Sequence, residues 1–381
     1  MKIELKWVLA ALLAMSGAGT LGQTLPDNVV RVGNREYLVG EPAAVPVWAA
    51  PFDQDLYITI SSDGRTLMFD SSRPGSLGEE DFWMSTRESL TSAWSEPTHL
   101  GSPINTIHDE YHGRLSPDGL SFYFKSNRPG GHGDFDLWVA TRTSSATPFG
   151  APTNLGPNIN GPENDGPATV SGDGLTMVFA SYRPGKLGQA YGFWISTRPQ
   201  PTAEWGTPTL LDEPIGSTFF DVVPCLSADG LMLFFGSNRE DDGFVNAWVA
   251  VRPDRFAAFG EPALLRSLVD PEGLRSREPV GLSADGTILY YIYFRDLDRN
   301  AGILNQVSLT RLPRLGGPSV KGEGRVEFDL FGRDGVDYAV ETSSDLRTWN
   351  SWITTNTTQS VRLVDSIPQG QAPRYYRALI P

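Results

Sequence analysis

Apolar and polar residues alternate along this chain in short runs, and turn residues punctuate the runs. From Leu115 to Arg142 it reads LSPDGLSFYFKSNRPGGHGDFDLWVATR. Tyr111 to Ser116 predicts a strand closed by the turn Pro117-Asp118-Gly119. Phe122, Tyr123 and Phe124 mark a second strand, because aromatic residues favour a pleated surface. Phe135 to Arg142 predicts a third. Ala151 to Leu155 predicts a short outer strand, where Pro152 is tolerated at an edge.

The pattern recurs. Asp-Gly pairs stand at Asp63, Asp118, Asp173, Asp229 and Asp285, at intervals of 55, 55, 56 and 56 residues. Ten residues after each Asp comes an Arg: Arg73, Arg128, Arg183, Arg239 and Arg295. A Trp follows at Trp83, Trp138, Trp194 and Trp248, with Val307 near that place in the last copy. Each copy ends on a second Arg: Arg87, Arg142, Arg198, Arg252 and Arg311. A fixed period with four antiparallel strands per unit predicts a propeller of five blades. Pro97, Pro152 and Pro208 each precede the next copy's acid by 13 residues. Pro42 stands 13 residues before Asp55, and no outer strand follows Arg311. The segment Gly40 to Val47 is therefore expected to complete the fifth blade and remove an exposed sheet edge.

The run S-x-DG, then S-x-RPG, then D-[LF]-W resembles the WD-like propeller repeats of the TolB family and its secreted relatives. Leu100 to Asn105 (LGSPIN) and Leu155 to Asn160 (LGPNIN) fit the same group. The resemblance spans about Gly40 to Leu312. It implies a propeller whose roles range from envelope scaffold and peptidoglycan-associated module to partner domain of an enzyme. The fifth copy departs from the pattern, with Phe294-Arg295-Asp296 in place of S-x-RPG and no Trp.

The ends read differently. Lys2 and Lys6 precede the apolar run Trp7 to Met15, and small residues follow to Gly22. The run is too short to span a bilayer and predicts a secretory signal peptide over 1–23. The propeller is expected over 24–312. A linker and a small β-sandwich-like domain are expected over 313–381, where apolar residues alternate at period two. The fold class is thus all-β: a five-bladed β-propeller closed by an N-terminal strand, plus the small C-terminal domain. Hydrophobic residues make up 40% of the chain, which excludes disorder. The net charge of −14 excludes a nucleic-acid backbone or an anionic membrane surface as partner. The one cysteine, Cys225, has no internal partner and is expected as a buried small hydrophobe. The expectation is an exported, monomeric protein with no membrane span.

The repeated acids are the first candidates for chemistry. Asp55, Glu110, Asp165 and Asp221 stand eight residues before the turn Asp. The fifth copy has Arg277 there, with Glu278 adjacent. At the mouth of a propeller channel these five acids would bind a cation, an amine or a sugar. The hairpin about Asp118-Gly119, however, puts Glu110 within one residue of facing Arg128, and the other copies repeat this. Arg73, Arg128, Arg183, Arg239 and Arg295 then read as structural ion-pair partners, each pair stabilising its sheet by ~0.2–1 kcal/mol. An Arg beside each acid is expected to hold its pKa low, which suits a nucleophile and not a general acid. A glycoside hydrolase needs two carboxyls about 5–10 Å apart, and the regularity of the ring argues against one.

Other motifs are weaker. His108 and His112 precede a strand and are expected as exposed loop histidines, not metal ligands. Asp296 to Gly302 alternates oxygen donors, but its Gly comes late and Val307 stands where a calcium loop needs Glu. A polar hairpin loop is expected there. No catalytic residue, metal site or cofactor is implied. The leading reading is a non-catalytic module binding an envelope or extracellular protein, a peptide or a glycan at the channel mouth or loop face. The alternative is a glycan-active enzyme using channel carboxylates.

Overall fold

The computed structural model describes residues 29–33, 35–46, 55–185, 191–240, 244–268, 277–294 and 302–311. In the C-terminal region it describes 314–315, 319–321, 325–331, 337–344, 348, 350–356, 360–366 and 375–379. The predicted signal peptide and the Asp296 loop lie outside these residues. The chain divides into two compact units, one within Val39–Leu309 and one from the described parts of 1–38 and 310–381.

The larger unit is a five-bladed propeller. Blade 1 is Asp55–Ile60, Thr66–Ser71, Asp81–Thr86 and Thr98–His99. Blade 2 is Glu110–Leu115, Ser121–Ser126, Asp136–Thr141 and Thr153–Asn154. Blade 3 is Asp165–Val170, Thr176–Ser181, Gly192–Thr197 and Thr209–Leu210. Blade 4 is Asp221–Leu226, Met232–Ser237, Asn246–Val251 and Ala263–Leu264. In each, the four strands pair antiparallel in chain order. First strands of successive blades are neighbours, and the fifth blade's lies beside the first's, so the ring closes.

Blade 5 has Arg277–Leu282, Ile288–Phe294 and Gly302–Arg311. Its outer strand is Ala43–Ala44, which pairs with Asn305 and Gln306. Gly40 N donates to Ser308 O at 2.9 Å and Val45 N to Leu304 O at 2.9 Å. The N-terminal strand closes the ring as its spacing predicts, and the outer edge of the last blade is covered. Two details of the fifth copy differ from expectation. Asn305, not Val307, takes the Trp position, because Tyr291 pairs with it as Phe124 pairs with Trp138. Leu309, not Arg311, takes the place of the second Arg, since its N–H donates to Thr287 O as Arg252 N–H does to Leu231 O.

The Asp-Gly repeat builds the hairpin joining the first two strands. Ser116 Oγ donates to Asp118 Oδ1 at 2.5 Å, and Gly119 follows with φ +70°. A left-handed φ is strained for any residue with a Cβ, which selects glycine. The second Arg of each repeat secures that turn. Arg142 Nε donates to Gly119 O at 2.8 Å, and its guanidinium lies 4.5 Å from the Phe149 ring centre. Arg87, Arg198 and Arg252 do the same for Gly64, Gly174 and Gly230, over Trp94, Trp205 and Phe259.

Between blades the core is aromatic. Met68 and Phe82 of blade 1 pack with Phe122 and Phe124 of blade 2, Phe82 meeting Phe122 edge-on at 4.8 Å. The linker asparagines extend the sheet past its short outer strand. Asn105 accepts from Phe82 N and donates to Phe82 O, both at 2.9 Å, and Asn160 treats Leu137 alike.

The second unit contains two sheets. One orders Arg314–Leu315, Arg325–Phe331 and Ser319–Lys321, with Ser360–Ser366 also on Arg325–Phe331. The other orders Asn350–Asn356, Asp337–Ser343 and Tyr375–Leu379. Alternate residues Val326, Phe328, Leu330, Tyr338, Val340 and Leu363 form its core with Tyr376, the sandwich that period two implies.

Candidate functional site

The repeated acids open their first strands and are buried. Glu110 Oε1 lies 2.9 Å from Arg128 Nη2, with the carboxyl side chain 0% exposed. Asp165 and Arg183 meet at 2.8 Å, and Asp221 and Arg239 at 2.9 Å, with acids 0% and 1% exposed. The register differs from the hairpin arithmetic. A bulge between Tyr111 and Arg114 shifts the pairing, so Glu110 faces Ser126. Arg128 stands two residues beyond, bonds Ser126 Oγ through Nε at 3.1 Å, and reaches back to the acid. Glu110 also accepts from Thr106 N and Oγ1.

Each of these arginines is also stacked. Arg128 lies 5.0 Å from the Phe124 ring centre and 5.5 Å from that of Trp138. Arg73, Arg183 and Arg239 sit likewise on Phe69 and Trp83, Phe179 and Trp194, and Phe235 and Trp248. The repeated Arg, Phe and Trp form one device, an aromatic slot that holds a guanidinium against the acid. Burial outweighs the arginine in setting the acids' protonation. It pushes Glu110 and Asp165 above the usual carboxylate range, against their hydrogen bonds and arginines, contrary to the low pKa expected.

The remaining members of the set differ. Asp55 faces Ser71, but its side chain lies outside the described residues, as does Arg295. Arg73 bonds Ser71 Oγ through Nε at 3.1 Å. Glu278 is buried and faces Ile292, while Arg277, in the acid's position, lies over the Tyr293 ring at 5.0 Å.

The channel itself is stoppered. The fifth residues of the first strands are Thr59, Arg114, Thr169, Cys225 and Gly281, and they line a void of about 40 Å³. Arg114 crosses from blade 2 to blade 5, where Nη1 donates to Val280 O and Nη2 to Pro279 O at 3.1 Å. Burial depresses this guanidinium's pKa and pushes up the buried Cys225 thiol beside it. A second void, lined by Tyr57, His112, Pro167, Val223 and Glu278 among others, holds about 10 Å³. Spaces of this size admit about one water each and no sugar ring.

His112 is not an exposed loop residue. It lies on the strand Glu110–Leu115, half-buried, with φ +54° and its ring 3.6 Å from that of Tyr57, centre to centre. Its N–H donates to Asp70 Oδ2 at 2.6 Å, and Tyr57 N–H donates to Asp70 Oδ1 at 2.7 Å. Asp70 is buried and knits the first strands of blades 1 and 2.

Asp70 belongs to a position where the repeats diverge. The fifth residues of the second strands are Asp70, Lys125, Ala180, Gly236 and Ile292. Only blades 1 and 2 place a charge there. Lys125 is 7% exposed, its ammonium 5.2 Å from the Tyr111 ring centre and 4.7 Å from that of Phe135. Burial brings its pKa down to about 8, against the pull of Asp70, Glu80 and Asp134. The Glu80 carboxyl is pushed up to about 8, by burial first and then by Asp70 and Asp109. Sequence reasoning missed this pair by following what repeats. The signal available was the reverse, a charged residue inside an apolar strand run in SFYFKS and LMFDS.

No protein-family model matches the chain, and no curated protein does. Among solved structures it is similar to TolB from Acinetobacter baumannii, at 15% identity over 74% of this chain and 62% of that one, with a TM-score of 0.38. The chain thus spans less than two thirds of that TolB. The α-L-arabinofuranosidase from Podospora anserina is similar at 12% identity over 75% of this chain and 98% of that one, TM-score 0.46. The endo-arabinase from Bacteroides thetaiotaomicron is similar at 13% identity over 70% and 96%, TM-score 0.45. At such identities the likeness concerns fold, not activity. Among the described residues no helix is long and apolar enough to cross a membrane.

Proposed function

We propose that the chain is an exported, non-catalytic binding module that engages a protein, peptide or glycan on its loop face and not inside its channel. The observation that carries this reading is Arg114, whose guanidinium bridges blade 2 to the Pro279 and Val280 carbonyls and stoppers the axis. The burial of Glu110, Asp165 and Asp221 against their arginines supports it, because a ligand at the channel mouth meets these three carboxylates already paired. What remains for recognition is the set of mouth-side loops, where the blades differ in sequence. Leu77, Ile107, Tyr182 and Phe219 stand exposed there.

The asymmetric carboxyls Glu80 and Asp70 favour the second reading, a glycan-active enzyme, since a general acid needs a raised pKa. One experiment separates the two. The purified chain is incubated with arrays of immobilised oligosaccharides and peptides, and the supernatants are assayed for new reducing ends. Retention without turnover is expected. Steady release of reducing ends, abolished by Glu80→Gln, overturns the binding reading.

A further inference from the structure

Near the mouth of blades 1 and 2 one buried carboxyl oxygen is left unsatisfied, beside a largely buried lysine. Lys125 Nζ makes no hydrogen bond to any described residue, although the side chain is only 7% exposed. Glu80 Oε2 is a buried acceptor that meets no donor among them. A buried acceptor loses ~1–3 kcal/mol when unpaired, so the mouth side of blade 1 carries one such loss at Glu80. The ammonium lies over the half-buried rings of Tyr111 and Phe135, which meet edge-on at 5.5 Å, and the Glu80 charge acts on Tyr111. Asp109 is held close by, accepting from Glu79 N at 3.2 Å and from Asn127 Nδ2 at 3.1 Å.

The fold makes room for this arrangement. Gly166 of blade 3 has φ +129°, and a Cβ there would stand 3.0 Å from Lys125 Cβ and 3.3 Å from its Cδ. The lysine stem therefore passes over a glycine, which the corresponding residue of blade 2, Tyr111, would not allow. The ammonium ends over two aromatic rings and within the field of Asp70, Glu80 and Asp134.

We propose that the mouth side of blades 1 and 2 binds a saccharide, its ring seated on Tyr111 and Phe135 and its hydroxyls bridging Lys125 and Glu80. A hydroxyl accepts from the ammonium while donating to a Glu80 carboxyl oxygen, so one vicinal diol satisfies both groups. The C–H face of a pyranose or furanose covers aromatic carbon. A cationic peptide meets repulsion from the Lys125 ammonium over the same rings, and a carboxylate ligand meets it from Asp109. A neutral sugar meets neither. This inference rests on the binding-module reading and names the ligand class of its loop face.

The test uses the full chain on an array of neutral cello-, xylo-, arabino- and galacto-oligosaccharides. At least one class is expected to be retained. Lys125→Met, which keeps the stem over Gly166, and Tyr111→Leu are each expected to weaken retention about tenfold, the equivalent of ~1.4 kcal/mol. Glu96→Gln, on a loop at the opposite end of blade 1, is expected to leave it unchanged. A second measurement needs no variant. Acetylation of Lys125 by N-hydroxysuccinimide acetate, followed by mass spectrometry, is expected to slow at least threefold with the retained oligosaccharide present. Failure of every neutral oligosaccharide to bind, or equal labelling with and without sugar, overturns the inference. Retention on the peptide array alone does so too while leaving the binding module standing, whereas turnover removes the binding module itself.

Discussion

Arg183 Nη2 lies 2.8 Å from Asp165 Oδ1, with the acid fully buried and the arginine held between the rings of Phe179 and Trp194. The pair joins the first strand of blade 3 to the loop beyond its second. Removing one charge leaves the other buried and uncompensated, so Arg183→Met is expected to destabilise the propeller by ~3–5 kcal/mol. Adding Asp165→Asn is expected to recover at least half of that loss in urea unfolding. A double variant no more stable than the single one contradicts the ion-pair account.

Arg114 holds two carbonyls across the channel. Arg114→Met keeps much of the volume but orphans Pro279 O and Val280 O. A loss of ~2–6 kcal/mol is expected, at ~1–3 kcal/mol for each buried acceptor left unpaired. The Cys225 thiol beside it is expected to become labelled more readily by a small maleimide, because the stopper is gone. Unchanged labelling and unchanged stability both tell against Arg114 as the plug.

Arg142 bonds a turn carbonyl while its plane lies over Phe149. Lysine offers neither the fork nor the flat face. Arg142→Lys is expected to lower stability by ~1–2 kcal/mol, read from the denaturation midpoint. A neutral outcome would place the holding of the turn in Ser116 and Asp118 alone.

The Glu80 carboxyl titrates near 4.5 in an unfolded chain and near 8 in the folded one. The folded state therefore keeps a proton that the unfolded chain releases. Stability from this group is complete below pH 4.5 and is lost as pH rises through about 8. Lys125 acts in a different window. Its pKa falls from 10.5 to about 8, so its penalty is absent at high pH and builds as pH falls towards 8. Between pH 5 and pH 8, a slope in Tm is expected in the native chain and a shallower one in Glu80→Gln. Identical slopes would assign the effect elsewhere.

Gly166 carries a φ of +129° and lies against the Lys125 stem. Gly166→Ala adds backbone strain and a close contact, and a loss of ~1–3 kcal/mol is expected. Adding Lys125→Ala removes the contact with Cδ but leaves the one with Cβ at 3.0 Å and the strain. The double variant is expected to regain only part of the stability, and full recovery would show that φ is harmless there.

Much of this architecture could be read along the chain. The 55- and 56-residue spacing of Asp63, Asp118, Asp173, Asp229 and Asp285 sets the blade count, because each Asp-Gly makes the same left-handed turn wherever it occurs. The proline spacing located the closing strand, since an outer strand must stand a fixed distance ahead of its neighbour. Such features are local, and local geometry repeats when residues repeat. The pairing of Glu110 with Arg128 was legible only to within two residues, because the bulge at Tyr111 and Arg114 shifts the register by one and no single-strand pattern announces it.

The sequence by itself determined the repeat, the turns and the all-β class, through spacings that act over ten to sixty residues. Tertiary structure alone decided what the variable positions do. Arg114 and Val280 are 166 residues apart, and only closure of the ring sets one across the channel from the other. Lys125 and Asp70 look like polar interruptions of apolar strands until blades 1, 2 and 3 are packed side by side. Burial then sets their character: the low polarity between blades shifts Glu80 and Lys125 towards neutrality and gives two of the five blades a chemistry that the repeat does not possess.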